Sequence, residues 1–115
     1  MQQISARQLA DWIAECERVG EAEKQRQEPY LLDVREPWEY ELCHLAGSIS
    51  IPMNTVPAHL DKLDVDADVV VICHHGMRSM QVAMFLEQNG FSSIYNLVAG
   101  VNAWAHDVDP AMSKY

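Results

Sequence analysis

The segment Asp68-Val69-Val70-Val71-Ile72-Cys73 constrains the fold more than any other stretch of the chain. Four consecutive β-branched residues lose side-chain freedom in a helix and pack well on a pleated surface, so the run reads as a strand. It shows no polar alternation, and both of its faces therefore need cover. That is the position of a central strand in a parallel sheet with helices on either side.

The flanking segments supply those neighbours. Residues 4 to 19 carry a helix-start signature, with Ser5 as N-cap, Gln8 as its reciprocal partner, and Ile4 with Leu9 as a hydrophobic staple. Leu9, Trp12, Ile13 and Cys16 recur on one helical face, and Gly20 reads as the stop. Cys16 is read as packing. Tyr30-Leu31-Leu32-Asp33-Val34 reads as a buried strand, and Pro37 opens a short helix that carries Trp38, Tyr40 and Leu42 and ends near His44-Leu45-Ala46-Gly47. Ser48 to Pro52 reads as a brief strand, and Thr55 or Asn54 as the cap of a helix through Val56, Leu60 and Leu63. A helix is expected from Arg78 to Asn89 with Gly90 as its stop, then a strand over Ile94 to Val98 and a short helix over Gly100 to Ala105, anchored by Trp104. Strands alternate with helices, so the class is α/β: a mostly parallel sheet of four to five strands, helices on both faces, and right-handed crossovers.

The chain has 115 residues, which suits one compact domain over 1–115. Its 49% hydrophobic and 22% charged residues argue against disorder and against a membrane-spanning segment. Seventeen acidic against eight basic side chains leave a net charge of −9, which repels nucleic acid and anionic membrane surfaces. The nearest approach to a basic cluster is Lys24 with Arg26, and these sit among Glu21, Glu23 and Glu28, as in a solvated loop. The first residues have neither the cationic start nor the apolar run of a secretory signal, and a cytoplasmic location is expected. In a reducing compartment the odd set Cys16, Cys43 and Cys73 stays as free thiols.

In an open parallel sheet, reactive positions are loops at the carboxyl ends of strands, where they meet helix N-termini. Cys73-His74-His75-Gly76-Met77-Arg78-Ser79 is such a loop. A cysteine there faces backbone N–H groups and the positive end of a helix dipole, both of which stabilise a thiolate. Gly76 allows a tight turn in which successive amides converge as an anion-binding nest, and Arg78 adds a permanent charge. Such a constellation suits a nucleophile that accepts a group bearing negative charge.

At these residues the sequence resembles the rhodanese family of single-domain sulfurtransferases, whose signature Cys-x-x-Gly-x-Arg-Ser looks like Cys73 to Ser79. Leu32-Asp33-Val34-Arg35 with Glu39-Tyr40, and His44 to Ile49 with Ile51-Pro52, resemble the family's upstream box. Ala99-Gly100 followed by Trp104 is similar to its downstream box, so the likeness covers roughly residues 30 to 105. Two positions depart from the pattern. Cys43 stands where glycine usually precedes the histidine, and His74 where arginine is common, which leaves the anion site one cation short.

The resemblance implies two-step sulfur transfer. The Cys73 thiolate attacks the outer sulfur of a donor such as thiosulfate, sulfite leaves, and a thiol or cyanide then takes the sulfur from the Cys73 persulfide. Backbone amides from His74 through His75, Gly76, Met77 and Arg78 to Ser79 are expected to cradle that sulfur, with no metal and no organic cofactor. The expected partners are a small sulfur-containing anion and a thiol acceptor, with a protein donor or acceptor as the other option. Phosphatases of similar fold place five residues between cysteine and arginine. Here four intervene, His74 to Met77, and the smaller ring suits one sulfur atom better than a phosphate.

Asp33 and Arg35 are read as a supporting ion pair beneath the loop, Glu39 and Tyr40 as helix and packing residues, and His44 as a hydrogen-bonded turn residue. His74 and His75 stay open between substrate contact and solvent. The thiols and histidines of Cys43, His44, Cys73, His74 and His75 have metal-binding atoms, but neighbours in a tight loop rarely aim at one ion. Cys43 as a resolving thiol is the lesser reading beside a packing role. Trp12, Trp38 and Trp104 are expected as core anchors, and Met77 and Met80 as an apolar rim to the loop. A different class of function, a docking or partner-fed sulfur-carrier module, fits the acidity, because a free dianion would be steered poorly to this surface.

Overall fold

A computed structural model describes residues 1–19 and 27–115. Gly20 as helix stop and the Lys24–Arg26 loop lie outside the described residues.

The elements run β1 (Gln2–Ile4), α1 (Ala6–Val19), β2 (Tyr30–Asp33), α2 (Pro37–Leu42), β3 (Ile49–Ser50), a 3-10 helix (Met53–Lys62), β4 (Val69–Ile72), α3 (Met77–Gln88), β5 (Ile94–Leu97) and α4 (Gly100–Asp107). The sheet order is β1-β5-β4-β2-β3 and every described pairing is parallel. The β-branched run forms the middle strand, as its composition demands. Val70 and Ile72 face Leu31 and Leu97, and with them Leu9, Trp12 and Cys16 of α1 and Val101 of α4. Val69 and Val71 point the other way, into a cluster with Leu32, Val56, Val82 and Leu86 under α3 and the 3-10 helix. Two cores thus share one sheet, and all four strand residues are buried.

The start of α1 follows the sequence reading. The Ser5 hydroxyl accepts from the Gln8 amide (3.1 Å), and the Gln8 side chain accepts from the Ser5 amide (2.9 Å). Three expectations need correction. Gln2–Ile4 is an edge strand paired with β5, a role that three residues with two polar side chains do not announce. The segment read as a helix capped by Asn54 or Thr55 is a 3-10 helix that begins at Met53, with Pro57 inside it. Pro57 has no N–H to give an α-helical bond, and the Thr55 hydroxyl donates back to the Pro52 carbonyl (2.8 Å) instead of capping an amide. Trp38, expected as a core anchor, is 60% exposed. The short α2 turns Glu39 inward instead.

Strand order reverses direction around β4: β3 lies beyond β2 on one side, and the chain returns to β4 and continues to β5 on the other. The crevice at the carboxyl end of β4 is therefore the topological switch point, where ligand sites of open α/β sheets form. The loop Cys73–Gly76 occupies it.

Candidate functional site

Cys73 directly follows β4 and is almost fully buried. Its Sγ accepts the Gly76 N–H at 3.0 Å and lies 3.3 Å from the Ser79 hydroxyl. Gly76 takes a left-handed conformation with φ +98°, and an added Cβ would press on the Ala99 amide at 3.2 Å. Both the turn and the close approach of the β5–α4 connection require glycine there. The next residue opens α3, so the sulfur sits against the start of a helix.

The floor of the loop is held by a buried polar chain. Ser79 donates to the Asn96 carbonyl oxygen, and the Asn96 amide donates to Gln3 Oε1 (3.0 Å) and weakly to the Gly76 carbonyl (3.4 Å). Asn96 and Gln3 are register partners on β5 and β1, so the missed edge strand serves the site. From the other side α4 grips the loop. The amides of Val101 and Asn102 donate to the carbonyls of Cys73 (2.8 Å) and His74 (3.1 Å).

Two ion pairs stand beside the loop. Asp33 and Arg35 are both fully buried, joined through Nη2 to Oδ2 at 2.7 Å and through Nε at 2.9 Å. This pair was expected as a supporting element, and it anchors the end of β2 to α2, because Arg35 also donates to the Cys43 carbonyl (2.6 Å). Removing one member would leave the other buried and uncompensated, a situation that costs about 3–5 kcal/mol. Arg78 makes a two-pronged pair with Glu39, at 2.6 and 2.9 Å. The charge of Arg78 is thus met by the carboxylate of Glu39, a residue whose place in the sequence suggests only helix packing.

The Arg78 guanidinium, aided by the Tyr115 hydroxyl and the Glu36 amide, holds the Glu39 carboxyl down to about 2 against the opposing effect of burial. With an ordinary value of 4.5 in the unfolded chain, this pair adds stability above that pH and loses it progressively toward about 2. Glu39→Gln is therefore expected to be less stable than the parent at about pH 7, with the gap shrinking at about pH 3. Urea unfolding at the two pH values checks this; a gap that stays constant would contradict it.

His74 is half-buried, and burial together with the neighbouring His75 lowers its pKa. Its ring stacks on Tyr115 at 3.9 Å and tilts over His75 at 4.0 Å, while His75 itself is exposed. Met77 is 71% exposed and Met80 half-buried, so the loop is apolar there, and the exposed Trp38 meets the Tyr115 ring edge-on at 5.7 Å. His44 binds the Tyr40 carbonyl through Nδ1 (2.7 Å) and stacks on the Tyr40 ring, the turn role expected of it. Cys43 is buried with its sulfur 4.0 Å from Arg35 Nη1.

Three residues of the site escaped sequence reading: Glu39, Asn96 and Tyr115. Glu39 stands three positions after Glu36 and completes a capping box there, a signal that accounts for it without any site. Asn96 is a lone polar residue in an apolar strand, which could have marked it. Tyr115 lies 36 positions beyond Ser79 with no pattern to connect them.

Comparison with known proteins agrees with this geometry. A profile described as Rhodanese-like domain matches residues 9–107. The chain is 40% identical over 92 residues to Rhodanese-like/PpiC domain-containing protein 12, chloroplastic, of Arabidopsis thaliana, covering 76% of this chain and 31% of that protein. It is 38% identical over 74 residues to Thiosulfate sulfurtransferase GlpE of Pseudomonas paraeruginosa, covering 64% of this chain and 67% of the relative. A rhodanese-related protein of Thermoplasma volcanium superposes with TM-score 0.76 at 29% identity, covering 94% of each chain. The chain spans 31% and 23% of the length of two larger curated relatives that it matches. With the parallel sheet, the cysteine loop at its switch point and a matching profile over nearly all its length, this chain belongs to the rhodanese-like domain family.

Proposed function

We propose that this chain is a sulfurtransferase that moves a sulfane sulfur through a persulfide on Cys73. The observation that carries the reading is the position of Cys73 Sγ, which accepts the Gly76 N–H at the start of a helix, in a loop with four residues between Cys73 and Arg78. In the first step the Cys73 thiolate attacks the outer sulfur of thiosulfate. A sulfur–sulfur bond forms to Cys73, the bond to the sulfonate sulfur breaks, and its electron pair leaves with sulfite. In the second step cyanide or a thiolate attacks the terminal sulfur, and Cys73 recovers its thiolate. Charge balances at each step, and no outside oxidant or reductant enters.

The loop His74 to Ser79 supplies the binding groups, with the Gly76 amide and the helix start facing the negative sulfur. The Ser79 hydroxyl can turn from Asn96 to donate to the charged sulfur. Asp33 and Arg35 support the loop from below, through the Val34 amide that bonds to the Ile72 carbonyl beside Cys73 (2.9 Å). The name of the Pseudomonas relative supports thiosulfate as a donor. A reducing, cytoplasmic setting belongs to the same proposal; no helix among the described residues is long and apolar enough to cross a membrane.

Double displacement predicts a kinetic pattern. With thiosulfate varied at several fixed cyanide concentrations, double-reciprocal plots of thiocyanate formation are expected to be parallel. Intersecting lines would show that both substrates must be bound together, and would contradict the covalent route.

A second reading has its own support. Cys73 is buried, both nearby guanidiniums are paired with carboxylates, and the apolar side chains of Trp38 and Met77 are both exposed. Such a site suits a partner-fed sulfur carrier, supplied by a protein persulfide. Faster sulfur uptake from a persulfidated protein than from thiosulfate at equal concentration would favour it.

A further inference from the structure

Tyr115 occupies the junction of the two ion pairs. Its hydroxyl accepts from Arg35 Nη1 (2.8 Å) and donates to Glu39 Oε2 (2.7 Å). Its ring lies flat on His74, with ring planes 10° apart, and meets Trp38 edge-on at 5.7 Å. The contacts of Arg35 show what this contact withholds. Nε goes to Asp33, Nη2 is shared between Asp33 and the Cys43 carbonyl, and Nη1 has the Tyr115 hydroxyl as its oxygen partner among the described residues, with the Cys43 sulfur at 4.0 Å. On Arg78 both terminal nitrogens are held by Glu39. Tyr115 therefore takes a guanidinium N–H next to the reactive loop, and its oxygen sits where an anionic oxygen would be received.

The phenol keeps its proton, since burial and the Glu39 carboxylate push its pKa up to about 12. It remains a neutral oxygen that matches both partners, an acceptor toward Arg35 and a donor toward Glu39. While Tyr115 holds that position an oxyanion is denied the Arg35 N–H, and the Glu39 carboxylate beside it stays compensated by its two bonds to Arg78. An alkyl persulfide carries its charge on sulfur, has no oxygen to place there, and needs no such contact.

We propose that Tyr115 is a specificity-determining residue, one that turns the site against small oxyanion donors and toward persulfide donors. The inference rests on the reading of Cys73 as the sulfur acceptor. Three measurements on the full chain test it. Thiosulfate is titrated by calorimetry into Cys73→Ser and into the Cys73→Ser, Tyr115→Ala double variant, so that binding is seen without chemistry. Loss of Tyr115 is expected to tighten thiosulfate binding about tenfold by freeing the Arg35 N–H. In the proteins that retain Cys73, kcat/KM is measured for thiosulfate and for an alkyl persulfide, which has no anionic oxygens, and their ratio is expected to shift about tenfold toward thiosulfate in Tyr115→Ala. Tyr115→Phe keeps the ring on His74 and removes only the hydroxyl; about a threefold part of the gain is expected from it. Unchanged or weaker thiosulfate binding in the double variant, an unmoved ratio, or a Phe variant equal to the parent would overturn the assignment while leaving sulfur transfer intact. Absence of sulfur uptake from either donor by either protein would overturn the underlying reading, and this inference with it.

Discussion

Cys73→Ser is expected to lower sulfur transfer by about a thousandfold or more, the largest single effect that this site allows. Serine is close to cysteine in size, and it can accept the Gly76 N–H and meet Ser79, so the loop keeps its shape. The chemistry does not survive the exchange. A serine hydroxyl is hardly ionised at neutral pH, and its hard oxygen is a poor nucleophile toward sulfane sulfur. Thiocyanate production, measured beside a thermal melt of both proteins, separates lost chemistry from lost folding. A variant that melts with the parent and retains a tenth of the rate would remove Cys73 from the mechanism.

Gly100→Ala is expected to destabilise the fold by about 3 kcal/mol or more. Gly100 has φ +54°, and a Cβ built there would lie 2.1 Å from the Cys73 carbonyl oxygen and 2.6 Å from that of His74. These are backbone atoms that no side-chain adjustment can move away. The start of α4 would have to lift off the loop, which breaks the bonds from Val101 and Asn102 to those two carbonyls. Because the same carbonyls set the path of the loop around Sγ, residual folded protein should also transfer sulfur poorly. Urea unfolding gives the stability; a midpoint within experimental error of the parent would show that the α4 start packs differently.

The two variants lie on parts of the chain that differ in how plainly the sequence shows them. Position 73 stands out because a β-branched run, a glycine and an arginine follow one another at fixed spacing. Local pattern also reveals α1 and its cap, the central strand, and the helix after the loop within one residue at each end. What pattern does not reveal is non-local. Glu39 reaches Arg78 across 39 positions and Tyr115 reaches Arg35 across 80, and no periodicity records such pairings. Trp38 misled for a related reason: large aromatic residues are usually core, yet six residues of helix beginning at Pro37 have room to bury only Glu39. The edge strand Gln2–Ile4 stayed hidden because two of its three side chains are polar and exposed.

Under the proposed function, the site joins a nucleophile built by local sequence to a polar frame built by tertiary contact. The loop places a sulfur against backbone donors at a helix start. The frame of Asp33, Arg35, Glu39, Arg78 and Tyr115 then decides which charges near that sulfur remain available to a ligand. In this account the fold supplies reactivity through the first set and selectivity through the second.

The most direct test is the intact mass of the reduced protein after incubation with thiosulfate and removal of excess reagent, recorded before and after cyanide, with Cys73→Ser in parallel. The account predicts a gain of one sulfur atom on the parent, its loss on adding cyanide, and no gain on the variant. A parent that gains no sulfur, or a Cys73→Ser variant that gains as much, would contradict the claim that this chain carries sulfur on Cys73.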